Sequence, residues 1–183
     1  MNTREQMLRQ FRLLTDWYIS VLEDIREEEG SQVISEHTNS LEWIAGHLLI
    51  MRTRNTVRLG QLVEAYPYLD LFVDPTLPPP QFIPFDRSKK YPSLTDLVQD
   101  WLRYSNRFIE TLEAVDDRVL QTEIPLQGPT GGTTIEDLFT SMVLHEAFHI
   151  GQMSIIRKAL GYQAMYWFRR QEKQKRSGIL NEV

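Results

Sequence analysis

The chain has 183 residues, of which 42% are hydrophobic and 25% are charged, and it contains no cysteine. This composition is typical of a globular protein and excludes wholesale disorder, and the lack of cysteine excludes disulfides, thiolate metal sites and a cysteine nucleophile. The net charge of −5 disfavours binding to phosphates, so we expect no nucleic-acid partner.

The first predicted helix covers residues 4–28, where apolar residues recur at steps of three and four from Met7 to Ile25. The charged N-terminal segment lacks the apolar core of a signal peptide. No apolar run in the chain approaches the ~20 residues that span a bilayer. The sequence therefore predicts a soluble, cytoplasmic protein without a membrane partner.

The second and third predicted helices cover residues 39–64 and 93–115. Ser40 is a candidate cap for the second helix. Ser93 and Asp96 have the spacing of a capping box at the start of the third, with Asp in place of Glu. Both helices therefore carry start signals in addition to their apolar periodicity.

The connection between these two helices, residues 66–92, contains seven of the nine prolines in the chain. Ordinary loops have about 4–6 residues, so a segment of this length is a crossover, a lid or a spacer. When extended it can return along the length of a helix. The length of this connection therefore allows the second and third helices to run parallel.

The fourth predicted helix covers residues 133–160, with a capping box from Thr133 to Glu136 and an end at Gly161. Four long helices with one long connection predict an all-α fold, a four-helix bundle over residues 1–165. The remaining residues, 166–183, form a basic C-terminal tail or a short helix.

Two of the four histidines, His145 and His149, lie four residues apart in the fourth helix and therefore share one face. The apolar stripe that passes through them predicts that both imidazoles point into the core. Two buried imidazoles need partners for four ring nitrogens in a region that offers few. A metal ion would take one nitrogen from each ring, and a hydrogen-bonded neighbour would fix the other.

His47 is the leading candidate for a third ligand, because it is in step with Ile44 and Met51 in the second helix. His37 lies in a polar segment before that helix and is predicted to be at the surface. Three neutral histidines with an open fourth position suit zinc, nickel, copper or iron(II) better than magnesium or calcium.

Four residues near these histidines also invite a prediction. Gly46 and Gly151 lie inside predicted helices, where glycine is less stable than alanine. Their presence therefore predicts that other atoms approach the backbone closely at these positions. Gln152 is a candidate hydrogen-bond partner for the site. Glu146 lies about 100° from His145 around the helix, which predicts that it faces solvent or a neighbouring helix such as the third.

The segment from His145 to His149 also matches H-E-x-x-H, the pattern of zincin-type metalloproteases, in which Glu is the general base. No histidine follows His149 to complete such a site, and no upstream segment indicates a substrate-binding sheet. A zincin-type protease is therefore retained as an alternative only.

The segment Ser40-Leu-Glu-Trp43-Ile-Ala-Gly46-His47-Leu, together with His145-x-x-x-His149-x-Gly151-Gln152, resembles the DinB-like superfamily. That group includes metal-dependent hydrolases and bacillithiol- and mycothiol-dependent transferases. The resemblance implies an up-down-down-up bundle with a long crossover between helices 2 and 3. It also implies a divalent metal, nickel or zinc, on His47, His145 and His149.

The resemblance further implies a metal-dependent hydrolase or thiol-dependent transferase that acts on a small-molecule substrate, with a low-molecular-weight thiol as co-substrate in the second case. The sequence identifies no catalytic residue beyond the metal ligands. A non-catalytic, metal-stabilised bundle with a stress-related or assembly role is the alternative. A homodimer is also expected, because related bundles often pair and the C-terminal region is rich in aromatic residues (Tyr162, Tyr166, Trp167, Phe168).

Overall fold

The computed structural model describes residues 3–64, 66–77, 80–124 and 134–165. Four long helices dominate these residues, and a short helix and a small antiparallel hairpin lie in the connections between them. The elements in chain order are α1 (Thr3–Leu22), α2 (Leu41–Arg58), β1 (Val73–Asp74), β2 (Gln81–Phe82), α3 (Leu94–Ala114), α4 (Asp117–Leu120) and α5 (Ile135–Ala159).

Helix α1 packs between α3 and α5. The Arg4 side chain at the start of α1 donates to the carbonyl of Val115 at the end of α3, so these two helices are antiparallel. Arg157 near the end of α5 donates to the carbonyl of Val21 near the end of α1, at 3.2 Å. Helices α1 and α5 are therefore parallel.

Helix α2 lies on the opposite side of the bundle and also packs between α3 and α5. Gly30 is wedged between Glu42 at the start of α2 and Leu94 at the start of α3. Beyond the end of α2, Gln61 accepts from Arg107 of α3 at 3.3 Å. Helices α2 and α3 thus run parallel, and the predicted all-α, up-down-down-up bundle is confirmed.

Helices α1 and α2 are shorter than predicted. Asp24 adopts a left-handed conformation with φ of 65°, which ends α1 at Leu22, and residues 27–29 form a separate 3-10 turn. Gly60 has φ of 86° and ends α2 in the same way, just after Arg58. Apolar periodicity continues through both stops, so it could not reveal them.

The helix starts agree closely with the capping signals. The side chains of Ser40 and Ser93 accept from backbone N–H groups in the first turns of α2 and α3, as predicted. The capping box of α5 is formed by Thr134 and Asp137, one residue later than predicted. The Asp137 carboxylate accepts from the backbone N–H of Thr134, and the Thr134 hydroxyl accepts from the backbone N–H of Asp137. The two hydrogen bonds together form the capping box.

The core lies along the bundle axis and is rich in aromatic residues. The predicted faces of α1 and α3 are buried, and Trp101 of α3 stacks on Tyr18 of α1 with ring centroids 4.1 Å apart. Trp101 also donates its indole N–H to the carbonyl of Thr15. The buried members of these faces are Met7, Phe11, Leu14, Tyr18, Leu22, Leu97, Trp101, Tyr104, Phe108 and Leu112.

The predicted buried stripe of α5 is correct for Met153 and Ile156, but before them it is displaced by one residue, or about 100° around the helix. The deepest residues of this helix are Ile135, Phe139, Glu146, Ile150, Met153, Ile156 and Arg157. His145 and His149 are only half-buried, at the edge of the core beside α2. Leu144 and Phe148, on the outer side of the helix, are more than 60% exposed. Because α5 has apolar residues on both its buried and its exposed side, the sequence pattern did not identify the buried face.

The predicted tail over residues 166–183 lies outside the described residues, as do Tyr166, Trp167 and Phe168, so the homodimer stays a prediction. Tyr162 is described, and its hydroxyl donates to Glu29 and accepts from the N–H of Arg26 within the chain. None of the helices in the described part of the chain combines the length and hydrophobicity that a membrane span requires.

Candidate metal centre

Three histidines from two helices converge on one point, and they are the three predicted from the sequence. Nε2 of His145 lies 3.2 Å from Nε2 of His47 and 3.2 Å from Nε2 of His149. Ligand-capable atoms of all three rings lie within 4.8 Å of one another. The side chain of His37 is 86% exposed and takes no part in the cluster, also as predicted.

The spacing of these nitrogens fits a small metal ion. Two imidazole nitrogens at ~2.0–2.1 Å from one tetrahedral ion are about 3.3–3.4 Å apart. Two of the three separations, both 3.2 Å, are close to that value, and the ligand atoms of His47 and His149 lie within 4.8 Å of each other. The i, i+4 spacing on α5 supplies two rings, and the antiparallel α2 brings the third.

Gln152 fixes one of the rings. Its Oε1 lies 2.7 Å from Nδ1 of His149 and accepts that proton, so Nε2 of His149 keeps its lone pair toward the cluster. The predicted role of Gln152 as a partner is confirmed. Nδ1 of His47 and Nδ1 of His145 are buried and have no hydrogen-bond partner among the described residues. The predicted hydrogen-bonded neighbour therefore exists for one ring of three.

Burial keeps the three imidazoles neutral. It lowers the pKa of His47 to about 3, and His149, His145 and Arg54 lower this pKa further by electrostatic repulsion. Burial, followed by the effect of His149, lowers the pKa of His145 to about 4. Burial also lowers the pKa of His149. At pH 7 all three rings are therefore in the form that binds metals.

The proline-rich crossover forms one wall of the site. The ring of His47 lies between Trp43, stacked at 5.3 Å, and Phe82 of β2, at 4.2 Å. The guanidinium carbon of Arg54 lies over the ring of Phe82, 4.9 Å from its centroid, and Arg54 also donates to the carbonyl of Pro80. The crossover therefore holds the orientation of His47 and shields it from water, a role that the sequence did not indicate.

The two glycines beside the histidines behave differently. A Cβ atom at Gly46 would lie 2.1 Å from Cζ of Phe72, which confirms the predicted crowding. The contacting ring belongs to the crossover, just before β1. Gly151 is exposed and a Cβ there would meet no atom within 4 Å, so the prediction for this residue is wrong.

We expect Gly46→Ala to destabilise the protein by about 1–3 kcal/mol, because the methyl group would displace a fully buried ring. Gly151→Ala is the matched control in a helix interior. It should stabilise by up to about 1 kcal/mol, since alanine is the better helix former and the space is open. Chemical denaturation of both variants measures this difference, and equal effects would contradict the crowding of Gly46.

Glu146 contacts a neighbouring helix, which was one of the predicted alternatives, but that helix is α2, and the side chain reaches neither α3 nor solvent. Its side chain is fully buried, and both carboxylate oxygens accept from Arg52 of α2, at 2.5 and 2.6 Å. Complete burial raises the pKa of Glu146, and Arg52 opposes that shift. Because both of its oxygens are bonded to Arg52 in the core, the geometry disfavours Glu146 as the general base of a zincin.

Acidification should destabilise the protein, with or without metal. Unfolded histidines take up protons near pH 6.5, whereas His47 and His145 in the fold remain neutral down to about 3 and 4. Below about pH 6.5 the unfolded state therefore binds more protons, and the free energy of unfolding falls. A bound ion would add to this loss, because its release accompanies protonation of the ligands.

Denaturation of metal-loaded and chelator-treated protein between about pH 8 and pH 4 measures both effects. The loaded form should lose more stability over this range. Identical profiles for the two forms would argue against any link between the metal and the fold.

Comparisons with known proteins agree with this architecture. The family model of the DinB superfamily matches residues 7–153. No curated protein matches the sequence. The structure is similar to the DinB-like protein YjoA from Bacillus subtilis, with 19% identity and a TM-score of 0.62, over 88% of this chain and 96% of that chain.

A second similar structure is YfiT from Bacillus subtilis, described as a probable metal-dependent hydrolase with an unusual four-helix bundle topology. It has 12% identity and a TM-score of 0.59, over 87% of this chain and 89% of that chain. At these identities, the likeness shows a shared fold.

Proposed function

The chain belongs to the DinB superfamily, as its histidine motifs implied, and we propose that it is a metal-dependent enzyme. One divalent ion would be held by His47, His145 and His149. The observation that carries this proposal is the convergence of three neutral imidazoles, one buried and two half-buried, with Nε2 of His145 lying 3.2 Å from Nε2 of each of the other two.

The neighbouring side chains support such a site by fixing the rings. Gln152 selects the tautomer of His149 that presents Nε2 to the cluster. Trp43 and Phe82 hold the plane of His47 and exclude water from that side. When bound, the ion would supply a Lewis acid that polarises a substrate or activates a nucleophile.

The donor set favours a transition metal, and the family resemblance implies that this metal is nickel or zinc. Imidazole is a borderline donor that binds transition metals well, whereas magnesium and calcium prefer oxygen ligands. The chain has no cysteine that could compete for the ion. A low-molecular-weight thiol is therefore a reasonable co-substrate, and the two reaction classes we propose are hydrolysis and thiol transfer.

A cavity of about 180 Å³ lies behind Gln152, which holds His149, and none of the three histidines of the cluster lines it. Ile44 and Ile156 give it apolar surface, while Thr38 and Asn39 add polar groups. A pocket of this mixed character suits a small, partly apolar ligand.

The test is an activity screen of chelator-stripped protein reloaded with zinc or nickel. The substrates are chromogenic esters and amides for hydrolysis, and an electrophilic bimane with a low-molecular-weight thiol for transfer. We expect turnover in one class that requires the metal and is lost in His145→Ala. Loaded protein that is inactive in both classes would favour the non-catalytic, metal-stabilised bundle.

A further inference from the structure

The core contains an ion pair that the proposed chemistry does not use. Arg52 forms a bidentate ion pair with Glu146: its Nε donates to Oε1 at 2.5 Å and its Nη2 donates to Oε2 at 2.6 Å. Both side chains are 0% exposed. The planar guanidinium matches the carboxylate, so the pair has one well-defined relative orientation.

Side chains from the other two long helices complete the surroundings of this pair. Arg52 also donates to the carbonyl of Phe11 at 3.1 Å and to the hydroxyl of Thr15 at 3.3 Å, both on α1. Its guanidinium carbon lies 4.6 Å from the ring centroid of Trp101 and 5.3 Å from that of Phe108, both on α3. Arg52 of α2 therefore contacts the other three long helices and has little room to move.

The pair joins the same two helices that supply the histidines. Arg52 follows His47 on α2 by five residues, and Glu146 directly follows His145 on α5. Among the four interfaces between neighbouring long helices, that between α2 and α5 is the smallest. A slip of one residue between the helices would move His47 by about 1.5 Å along the axis, enough to spoil the spacing of the nitrogens.

Stability alone does not explain the pair. Replacing a buried ion pair with apolar residues of similar volume is often neutral or stabilising, and the best-attested role of such groups is to fix register. We propose that Arg52 and Glu146 are positioning residues that set the register of α2 against α5 and so align His47 with His145 and His149. This inference rests on the proposed metal binding.

The test compares metal affinity with stability in the full chain. In Arg52→Met/Glu146→Leu, both charges are replaced by apolar side chains. The melting temperature of the metal-free variant should stay within about 5 °C of wild type. Its affinity for Zn²⁺, measured by competition with a chromophoric chelator, should fall at least about tenfold. Unchanged affinity in this variant would overturn the proposal.

Two further variants make the result decisive. If the double variant does not fold, Arg52→Lys replaces it, because lysine keeps the charge but cannot form the two parallel bonds; reduced Zn²⁺ affinity supports the proposal and wild-type affinity overturns it. Arg157→Met is the control, since Arg157 is also buried on α5 but bonds to the carbonyls of Val21 and Glu23. It should lower the melting temperature and leave Zn²⁺ affinity unchanged, and an equal loss of affinity would overturn the proposal.

Failure of the metal proposal is distinguishable from failure of this inference. Wild-type protein that does not bind Zn²⁺ or nickel contradicts the metal centre itself. Wild-type protein that binds Zn²⁺ no better than Arg52→Met/Glu146→Leu leaves the metal centre intact and contradicts only the role of the ion pair.

Discussion

Replacing His47, His145 or His149 with alanine should reduce the metal content of the purified protein from about one ion per chain to background. Each substitution leaves two imidazoles, and no cysteine in the chain can supply a substitute thiolate. Elemental analysis after purification without chelators measures the effect, beside circular dichroism to verify that each variant is folded.

The matched control for this series is His37→Ala. Its side chain is 86% exposed and lies outside the cluster, so metal content should be unchanged. A variant that keeps wild-type stoichiometry removes its residue from the proposed ligand set. Loss of metal in His37→Ala would point to a different site.

The largest expected effect on stability is that of breaking the Arg52–Glu146 pair on one side. Arg52→Met should lower the free energy of unfolding by about 3–5 kcal/mol, because it leaves a carboxylate buried without its partner. That loss is a large fraction of the total stability of a typical domain. Adding Glu146→Leu in the same chain should recover most of it, because both charges are then gone.

A double-mutant cycle by chemical denaturation tests this asymmetry. It requires Arg52→Met, Glu146→Leu and the double variant. Additive losses, with the double variant as unstable as the sum of the single ones, would mean that the two side chains do not act as a pair.

The parts of the fold and site that could be predicted are those that short-range rules control. The shared face of His145 and His149 follows from a spacing of four residues, and the caps at Ser40 and Ser93 follow from local side-chain chemistry. The length of the connection between α2 and α3 allows them to run parallel, and the family resemblance implied that they do. Each of these inferences needs only the chain near the residues concerned.

The features that were missed depend on contacts between distant segments. Glu146 was expected off the buried face because it lies about 100° from His145, through which the buried stripe was drawn, whereas the buried face of α5 passes through Glu146 itself. Arg52, a charged residue directly after the apolar run Leu48–Met51, was the one available signal of a buried ionic partner. No local pattern could pair it with Glu146.

The packing of the crossover against α2 could not be predicted either, because it also depends on contacts between distant segments. Phe72 packs against Gly46, and Phe82 against His47, across more than twenty residues of chain. The glycine in the interior of α2 did predict a close approach at that point. The approaching ring could be identified only from the structure, because an irregular, proline-rich segment has no periodicity to show which side chains face the bundle.

X-ray absorption at the metal edge of the purified, metal-loaded protein tests the central claim most directly. The account predicts a first shell of nitrogen or oxygen at about 2.0–2.1 Å, with outer-shell scattering from three imidazoles, for about one ion per chain. His145→Ala mixed with one equivalent of the same metal is the reference, and it should give the spectrum of the hydrated ion. A spectrum without imidazole scattering, or one identical for wild type and His145→Ala, would contradict the three-histidine centre.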